Sequence, residues 1–370
     1  MTKKFRNPGV SRRDFLRLTG VVAAGLLVSR CQSEQPTIAS TESMPLGTSK
    51  SSVAIGRVQS YDRATIEGQM QTLIDQLGGL GDVVKPGDSV AIKTNLTGGV
   101  YSGRLNGITA EESFVTHPEV VRALVKHVKA ASAKEIFIVE AVYEWESYRD
   151  WGYEDIASDL GVTLIDLNDS KPFADFVETP VGPDSHIYKS FTFNPILKDV
   201  DVFMSVSKMK NHYLAGVTHT MKNLYGLVPY RFYRLNEQDK YRSGFHGTGS
   251  QTQERLPRII IDINRARPIH FSLIDGIKTT QGGEGPWVKS MAPIEPGVLI
   301  AGKNPVATDV VATAVMGHDP TGEYPESPFV RCVNHLNLAA QAGLGTNRLD
   351  EIEVLGTPIG EVQTRFVPAP

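Results

Sequence analysis

The chain has 370 residues, and 38 Lys and Arg against 41 Asp and Glu leave a formal charge of −3. A hydrophobic fraction of 41% with so small a net charge excludes a disordered chain, and the near-neutral balance argues against nucleic acid as a partner. Two cysteines are too few for a cubane iron–sulfur cluster, which takes four thiolates, or for a disulfide framework.

Residues 11–17 read Ser-Arg-Arg-Asp-Phe-Leu-Arg and run into the mostly apolar and small stretch Leu18 to Ser29. A basic stretch before a short apolar run reads as a signal peptide, assigned to 1–31, because a membrane span needs about 20 apolar residues. Gly20 and Gly25 would weaken an ordinary amphipathic helix here. Arg12 and Arg13, with Phe15 and Leu16 behind them, resemble a twin-arginine signal. That resemblance implies the twin-arginine export machinery as a partner and a periplasmic or cell-envelope location. Cys31 follows a partial lipoprotein box, in which Arg30 stands where a small residue is expected. Three outcomes stay open: a lipid tether through Cys31, cleavage nearby, or a retained anchor. Residues 32–52 are rich in Ser, Thr, Pro and Gln and read as a flexible tether. Cys332 is expected in the core.

From residue 53 to 370, Val/Ile-rich runs alternate with segments of helical period. Strands are predicted at 52–58, 89–95, 135–140, 162–166, 201–206, 270–275, 298–302 and 351–355. Helices are predicted at 64–77, 118–131, 153–160, 216–225, 256–265, 305–316 and 328–342. Strands separated by helices predict an α/β fold with a mostly parallel, doubly wound, Rossmann-like sheet covered on both faces. Residues 229–256 interrupt the pattern with Tyr, Arg and Gly and read as an insertion or lid.

In open α/β sheets ligands sit beyond the carboxyl ends of the strands. The polar residues at those ends are Lys93 with Asn95, Glu140, the Lys208–His212 run, Asp275 with the Gly-rich loop carrying Glu284, and Lys303 and Asn304 before a helix carrying Asp309. The densest stretch is 208–226. If extended, Lys208, Lys210 and His212 share one face; if the chain is helical from Gly216, His219, Lys222 and Asn223 share another. Basic groups around a strand-to-helix junction, with a helix N-terminus behind them, form an anion site. The ordinary alternative for such a cluster is a solvated face; alternation with Met, Tyr and Leu after an apolar strand weighs against it. The glycine loop is not a dinucleotide fingerprint, since Pro286 and Trp287 follow it instead of a helix.

The runs Lys208–His212 and Lys222–Gly226, the Asp275-Gly276-Ile277 segment with its glycine loop, and Ala301–Asp309 together resemble the domain of unknown function 362 family. Lys93-Thr94-Asn95 and Thr116-His117-Pro118 fit the same pattern, and the resemblance spans roughly 53–320. It implies little about activity. Some relatives carry iron–sulfur ferredoxin segments, an association that the cysteine count here does not support.

The first expectation is therefore an exported enzyme that performs acid–base chemistry on a small carboxylate or phosphate. Lys208, Lys210, His212, Lys222 and Asn223 would bind the anion, and Lys93 and Asn95 would orient it. His219 or Glu140 would act as general base. Asp275, Glu284 and Asp309 are the residues for a divalent metal, should one be used; no other cofactor is indicated. The second expectation is a non-catalytic envelope protein that holds an anionic ligand or cofactor at the same site.

Overall fold

The computed structural model describes residues 50–370. The expected signal peptide, Cys31 and all but the last residues of the expected tether lie outside the described residues. The strands are β1 (Ser51–Arg57), β2 (Ser89–Lys93), β3 (Glu135–Glu140), β4 (Thr163–Asp166), β5 (Val177–Pro180), β6 (Ser190–Phe193), β7 (Val202–His212), β8 (Gly216–Thr218), β9 (Phe271–Gln281), β10 (Ala292–Ile294), β11 (Val298–Gly302) and β12 (Ile352–Gly356). The helices used below are α1 (Arg63–Gln76), α2 (Pro118–Ala130), α3 (Tyr153–Leu160), α4 (Thr220–Asn223), α5 (Ser243–His246), α6 (Thr252–Ala266), α7 (Pro305–Val315) and α8 (His335–Gln341).

The main path of the large sheet runs β12-β1-β11-β9-β7-β2-β3-β4, with β10 added to β9 and β8 to β7. Neighbours β9, β7, β2, β3 and β4 are mutually parallel, and β12 is parallel to β1. Only β11 on this path runs against both its neighbours, β1 and β9. The sheet is buried on both sides, as its unbroken Val/Ile runs require. In β1, Val53 and Ile55 join one hydrophobic cluster and Ala54 the other; in β2, Ala91 joins the first and Val90 and Ile92 the second. Alternate side chains thus feed two cores, one under each helical layer.

Local chemistry sets the helix starts. The Asp62 carboxylate accepts the Thr65 N–H at 2.9 Å before α1. His117 Nδ1 accepts the Glu119 N–H, and Pro118 takes the first helical position of α2. The Asn304 side chain accepts the Ala307 N–H before α7.

Two expectations about local structure are corrected. The helix predicted over 216–225 is instead the strand β8, then α4, then a 3-10 turn over Leu224–Leu227. Gly216, at φ +76°, lets the chain fold back on β7, and a Cβ there would stand 2.6 Å from Phe329. The helix predicted over 328–342 is reduced to α8, capped by Asn334. Because β11 is reversed, Lys303 and Asn304 fall at the opposite end of the sheet from the other polar strand ends. There Lys303 pairs with Asp82 at 2.6 Å.

Candidate functional site

The parallel arrangement brings the carboxyl ends of β2, β3, β7 and β9 to one edge of the sheet. β7 runs on to His212, and every one of its 11 residues is buried. Lys208 and Lys210 share the face that alternation assigns them, but they serve the protein itself. Lys208 Nζ donates to Tyr61 Oη, the Glu111 carbonyl and Asp275 Oδ2 at 2.8, 2.9 and 2.9 Å, so its three protons are taken. Lys210 Nζ donates to the Phe114 carbonyl, and burial drives its pKa well below the ordinary lysine value. Neither lines the cavity described below, so the structure does not place them as ligand-binding groups. Apolar β7 draws them into the interior, where loop carbonyls rather than a ligand satisfy them.

His219 is likewise set apart from the cavity. The turn through β8 leaves it extended ahead of α4, fully buried, with no hydrogen bond to either ring nitrogen among the described residues. Burial pushes its pKa down to about 3. The ring does not line the cavity, and so low a pKa makes it a weak base, so the geometry does not place it there as the general base. Asp309 holds the same turn from the other side. It accepts the Thr220 and Met221 N–H groups, each at 2.9 Å, and the Thr220 hydroxyl. Its work is to cap α4, and α4 then carries Lys222 and Asn223 into the site.

The inner wall is a polar network. Lys93 Nζ lies 2.8 Å from Glu140 Oε1 and also donates to the Thr94 carbonyl at 2.6 Å and Asn223 Oδ1 at 3.3 Å. Glu140 also accepts the Leu96 and Ala141 N–H groups at 2.9 and 3.0 Å. Asn95 Nδ2 donates to Asn223 Oδ1 at 3.0 Å, while Asn95 Oδ1 has no partner among the described residues. Burial lowers the Lys93 pKa, opposed by Glu140. Arg242 arrives from the 229–256 segment and donates to the Val228 and Ala141 carbonyls, with no carboxylate partner among the described residues. Lys93, Lys222 and Arg242 thus face one carboxylate, Glu140, in a small recess.

That recess shares Thr97, Tyr143, Lys222 and Tyr225 with a cavity of about 630 Å³. Lys222 is 7% exposed and makes no hydrogen bond or ion pair among the described residues. Its Nζ sits 4.4 Å from the centre of the Tyr225 ring. Burial pushes the Lys222 pKa down to about 8; Lys93 and Arg242 add to the shift, and Glu284 and Glu140 oppose it. His212 Nδ1 accepts the Leu214 and Ala215 N–H groups at 3.1 and 3.2 Å. The ring proton therefore resides on Nε2, which makes the neutral imidazole a donor on the cavity wall. Burial holds that imidazole neutral, well below the usual histidine pKa. Glu284 sits opposite, accepting the Tyr213 N–H and the Trp287 indole N–H at 2.9 Å each.

The outer wall comes from the segment that sequence periodicity leaves unassigned. Leu235, Tyr241, Ser243 and His246 line the cavity from it. His246 shares a hydrogen bond of 3.1 Å with Tyr225 Oη, and burial pushes its pKa down to about 4. Arg242 and His246 carry no sequence signal beyond lying in an aperiodic, Tyr- and Arg-rich stretch beside a strand end.

The three carboxylates expected to hold a metal are not brought together. Asp275 is bound to Lys208, Tyr61 and the His117 N–H; Glu284 ties the Tyr213 backbone to the Trp287 indole; Asp309 caps α4. Among the described residues no three His, Cys, Asp or Glu side chains form a metal-binding group. Cys332 is free and buried in the core, its thiol pushed up to about 12 by burial.

The family described as "Domain of unknown function (DUF362)" matches residues 90–314. A curated relative, the thylakoid-associated protein sll1697 of Synechocystis, is 28% identical over 270 residues, which is 73% of this chain and 75% of the relative. Among solved structures, the lactate racemase apoprotein of Thermoanaerobacterium thermosaccharolyticum aligns at 13% identity and a TM-score of 0.37, over 66% of this chain and 54% of that one. A Thermotoga maritima protein aligns at 13% identity and a TM-score of 0.35, over 68% and 57%. The chain therefore spans little more than half of either solved chain.

Proposed function

The chain belongs to the Domain of unknown function (DUF362) family, and from that premise we propose that it binds an organic anion in the cavity over the strand ends and acts on it by proton transfer. The observation that carries this reading is Lys222, a nine-tenths buried ammonium without a partner among the described residues, on the wall of a cavity of about 630 Å³. A buried charge is costly unless paired, so the missing counter-charge is supplied by a ligand. The His212 Nε2–H and the nearby Arg242 reinforce it. The space far exceeds what phosphate or acetate fills, and Tyr213, Tyr225 and Trp287 offer ring faces and edges to an apolar body. This enlarges the small anion expected from the sequence to an anion with an organic frame.

For catalysis, Glu140 is the carboxylate of the recess, and its pairing with Lys93 fixes its geometry. Binding without turnover is the second reading. It is favoured by the full set of partners that Glu140 and Lys93 already have. Thermal shift with phenyl phosphate and inorganic phosphate tests the binding. The aryl anion should raise Tm, inorganic phosphate at equal concentration should not, and Lys222→Met should remove the response. Equal shifts from both, surviving in the variant, would sink the proposal. Turnover of the bound anion that is lost in Glu140→Gln, with binding kept, favours the enzyme.

The location is proposed from the N-terminal sequence. Arg12 and Arg13 direct export by the twin-arginine route, and Cys31 is the lipid attachment point if there is one. The relative's thylakoid association is in keeping with a membrane-bounded site. Replacing both arginines by lysine should retain the protein in the cytoplasm; unchanged fractionation would refute the route.

A further inference from the structure

We propose that Lys222 is a carbonyl-capturing amine: its Nζ adds to an aldehyde or ketone carbon on the organic anion and forms an imine. The inference rests on reading the cavity as an organic-anion site and names the reactive group its ligand would carry.

The geometry separates Lys222 from the other buried lysines of the site. Lys93 and Lys208 each spend three protons on oxygen acceptors. Lys222 spends none on the described residues and opens into the cavity, held against Tyr225. A permanent anion anchor is better made from arginine, whose charge does not titrate and whose planar fork matches an oxyanion; lysine can shed its proton and become a nucleophile. Its surroundings favour that loss. With a pKa near 8, about a tenth of Lys222 is free amine at pH 7, against a few in ten thousand for an ordinary lysine. The charged and titratable groups around it are Lys93, Lys210, Arg242, Glu140 and Glu284, the phenols of Tyr143 and Tyr225, and His212, His246 and His335 as neutral imidazoles.

The step balances without a further reagent. The Nζ lone pair bonds to the carbonyl carbon while the C=O π pair moves to oxygen. The two protons of the amine pass from nitrogen to the oxygen, one to form the carbinolamine and one as the oxygen leaves as water, and the neutral imine remains. Amine and carbonyl become imine and water. His212 Nε2–H can donate toward the departing oxygen, and the Glu284 carboxylate can receive the proton shed by nitrogen.

The test uses pyridoxal 5′-phosphate, an aromatic aldehyde that carries a phosphate, followed by borohydride and peptide mass mapping. Pyridoxine 5′-phosphate, with an alcohol in place of the aldehyde, reports non-covalent binding by thermal shift. The expected result is reductive labelling at Lys222 at least tenfold faster than at exposed Lys189 or Lys289, rising with pH through an apparent pKa near 8. Lys222→Arg should keep the shift with the alcohol and lose the adduct. If that variant fails to fold, the alcohol should protect Lys222 of the unmodified chain from labelling. Labelling no faster than at Lys189, with the shift intact, overturns the amine role and leaves anion binding standing. Neither shift nor selective labelling overturns both.

Discussion

A Cβ placed on Gly226 would stand 2.4 Å from Glu140 Oε1 and 2.8 Å from Lys93 Nζ. The backbone of the turn after α4 therefore lies directly on the buried ion pair of the recess. It cannot withdraw freely, because the Gly226 carbonyl accepts the Ala141 N–H at 3.1 Å. Gly226→Ala should force the pair or the turn to shift, at a cost of about 1–3 kcal/mol, the usual range for overpacking. Chemical denaturation measures it, and an unchanged midpoint would contradict the placement.

Glu140→Gln should cost more. It leaves the Lys93 ammonium 1% exposed with no anion beside it, and breaking one side of a buried pair costs about 3–5 kcal/mol. The double variant Lys93→Met with Glu140→Gln should lose less than the sum of the singles, since it removes both charges together. Additive losses in a double-mutant cycle would show that the two groups do not act as a pair.

Lys208 makes the opposite prediction to Lys222. Its three acceptors include Asp275, and both side chains of that pair are fully buried. Lys208→Met should destabilise the fold strongly by stranding Asp275, and Asp275→Asn in the same chain should recover part of the loss. Anion binding should survive in whatever fraction folds. Loss of binding with unchanged stability would return Lys208 to the ligand site.

Buried histidines set the acid limit. His219 and His335 titrate near 3 in the fold, and His246 and His318 near 4, each held down chiefly by burial. Their unfolded value is about 6.5. A depressed folded pKa leaves the stability intact above 6.5, and it erodes as pH falls from there toward 3 or 4, because only the unfolded chain takes up the protons. Each fully buried histidine should contribute a loss of about 2 kcal/mol by pH 5. Tm should fall steeply below pH 6.5, and His335→Phe should flatten the slope. Asp309 and Asp166, raised to about 7 and about 6 by burial, oppose part of this loss, so the slope difference between the unmodified chain and His335→Phe is the decisive reading, and identical slopes would mean that the ring is solvated.

The layers of the fold were legible because their signals are local. Glu135–Glu140, Tyr153–Leu160 and Val298–Gly302 are bounded by turn and cap residues and occur where the pattern puts them. β5, β6 and β8 are short and are defined by the strand they pair with, which no local period reports. In the site, the strand-end rule brings Lys93, Asn95, Glu140, His212, Lys222, Asn223 and Glu284 to the cavity or its recess. It could not tell a lysine that faces a ligand from one saturated by carbonyls, which is the difference between Lys222 and Lys208. Nor could it place Arg242 and Tyr143, which packing rather than periodicity holds there.

Lys222 should cost the fold stability, and that cost is itself a sign of use. Its folded pKa of about 8 lies below the unfolded value of about 10.4, so the charged form is the disfavoured one in the fold. The penalty is absent above the unfolded value, grows as pH falls from about 10.4 to 8, and is complete below 8. At pH 7 the shift corresponds to roughly 3 kcal/mol. Lys222→Met keeps the unbranched apolar stem and removes the charged end, so it should raise stability at pH 7 and lose anion binding together. The advantage over the unmodified chain should shrink as pH rises from 8 toward 10. Denaturation at pH 7 and pH 9.5 separates this from a packing effect, which would not change with pH. A variant that is less stable at pH 7 would mean that Lys222 has a partner in the folded chain and holds the structure together, not a ligand.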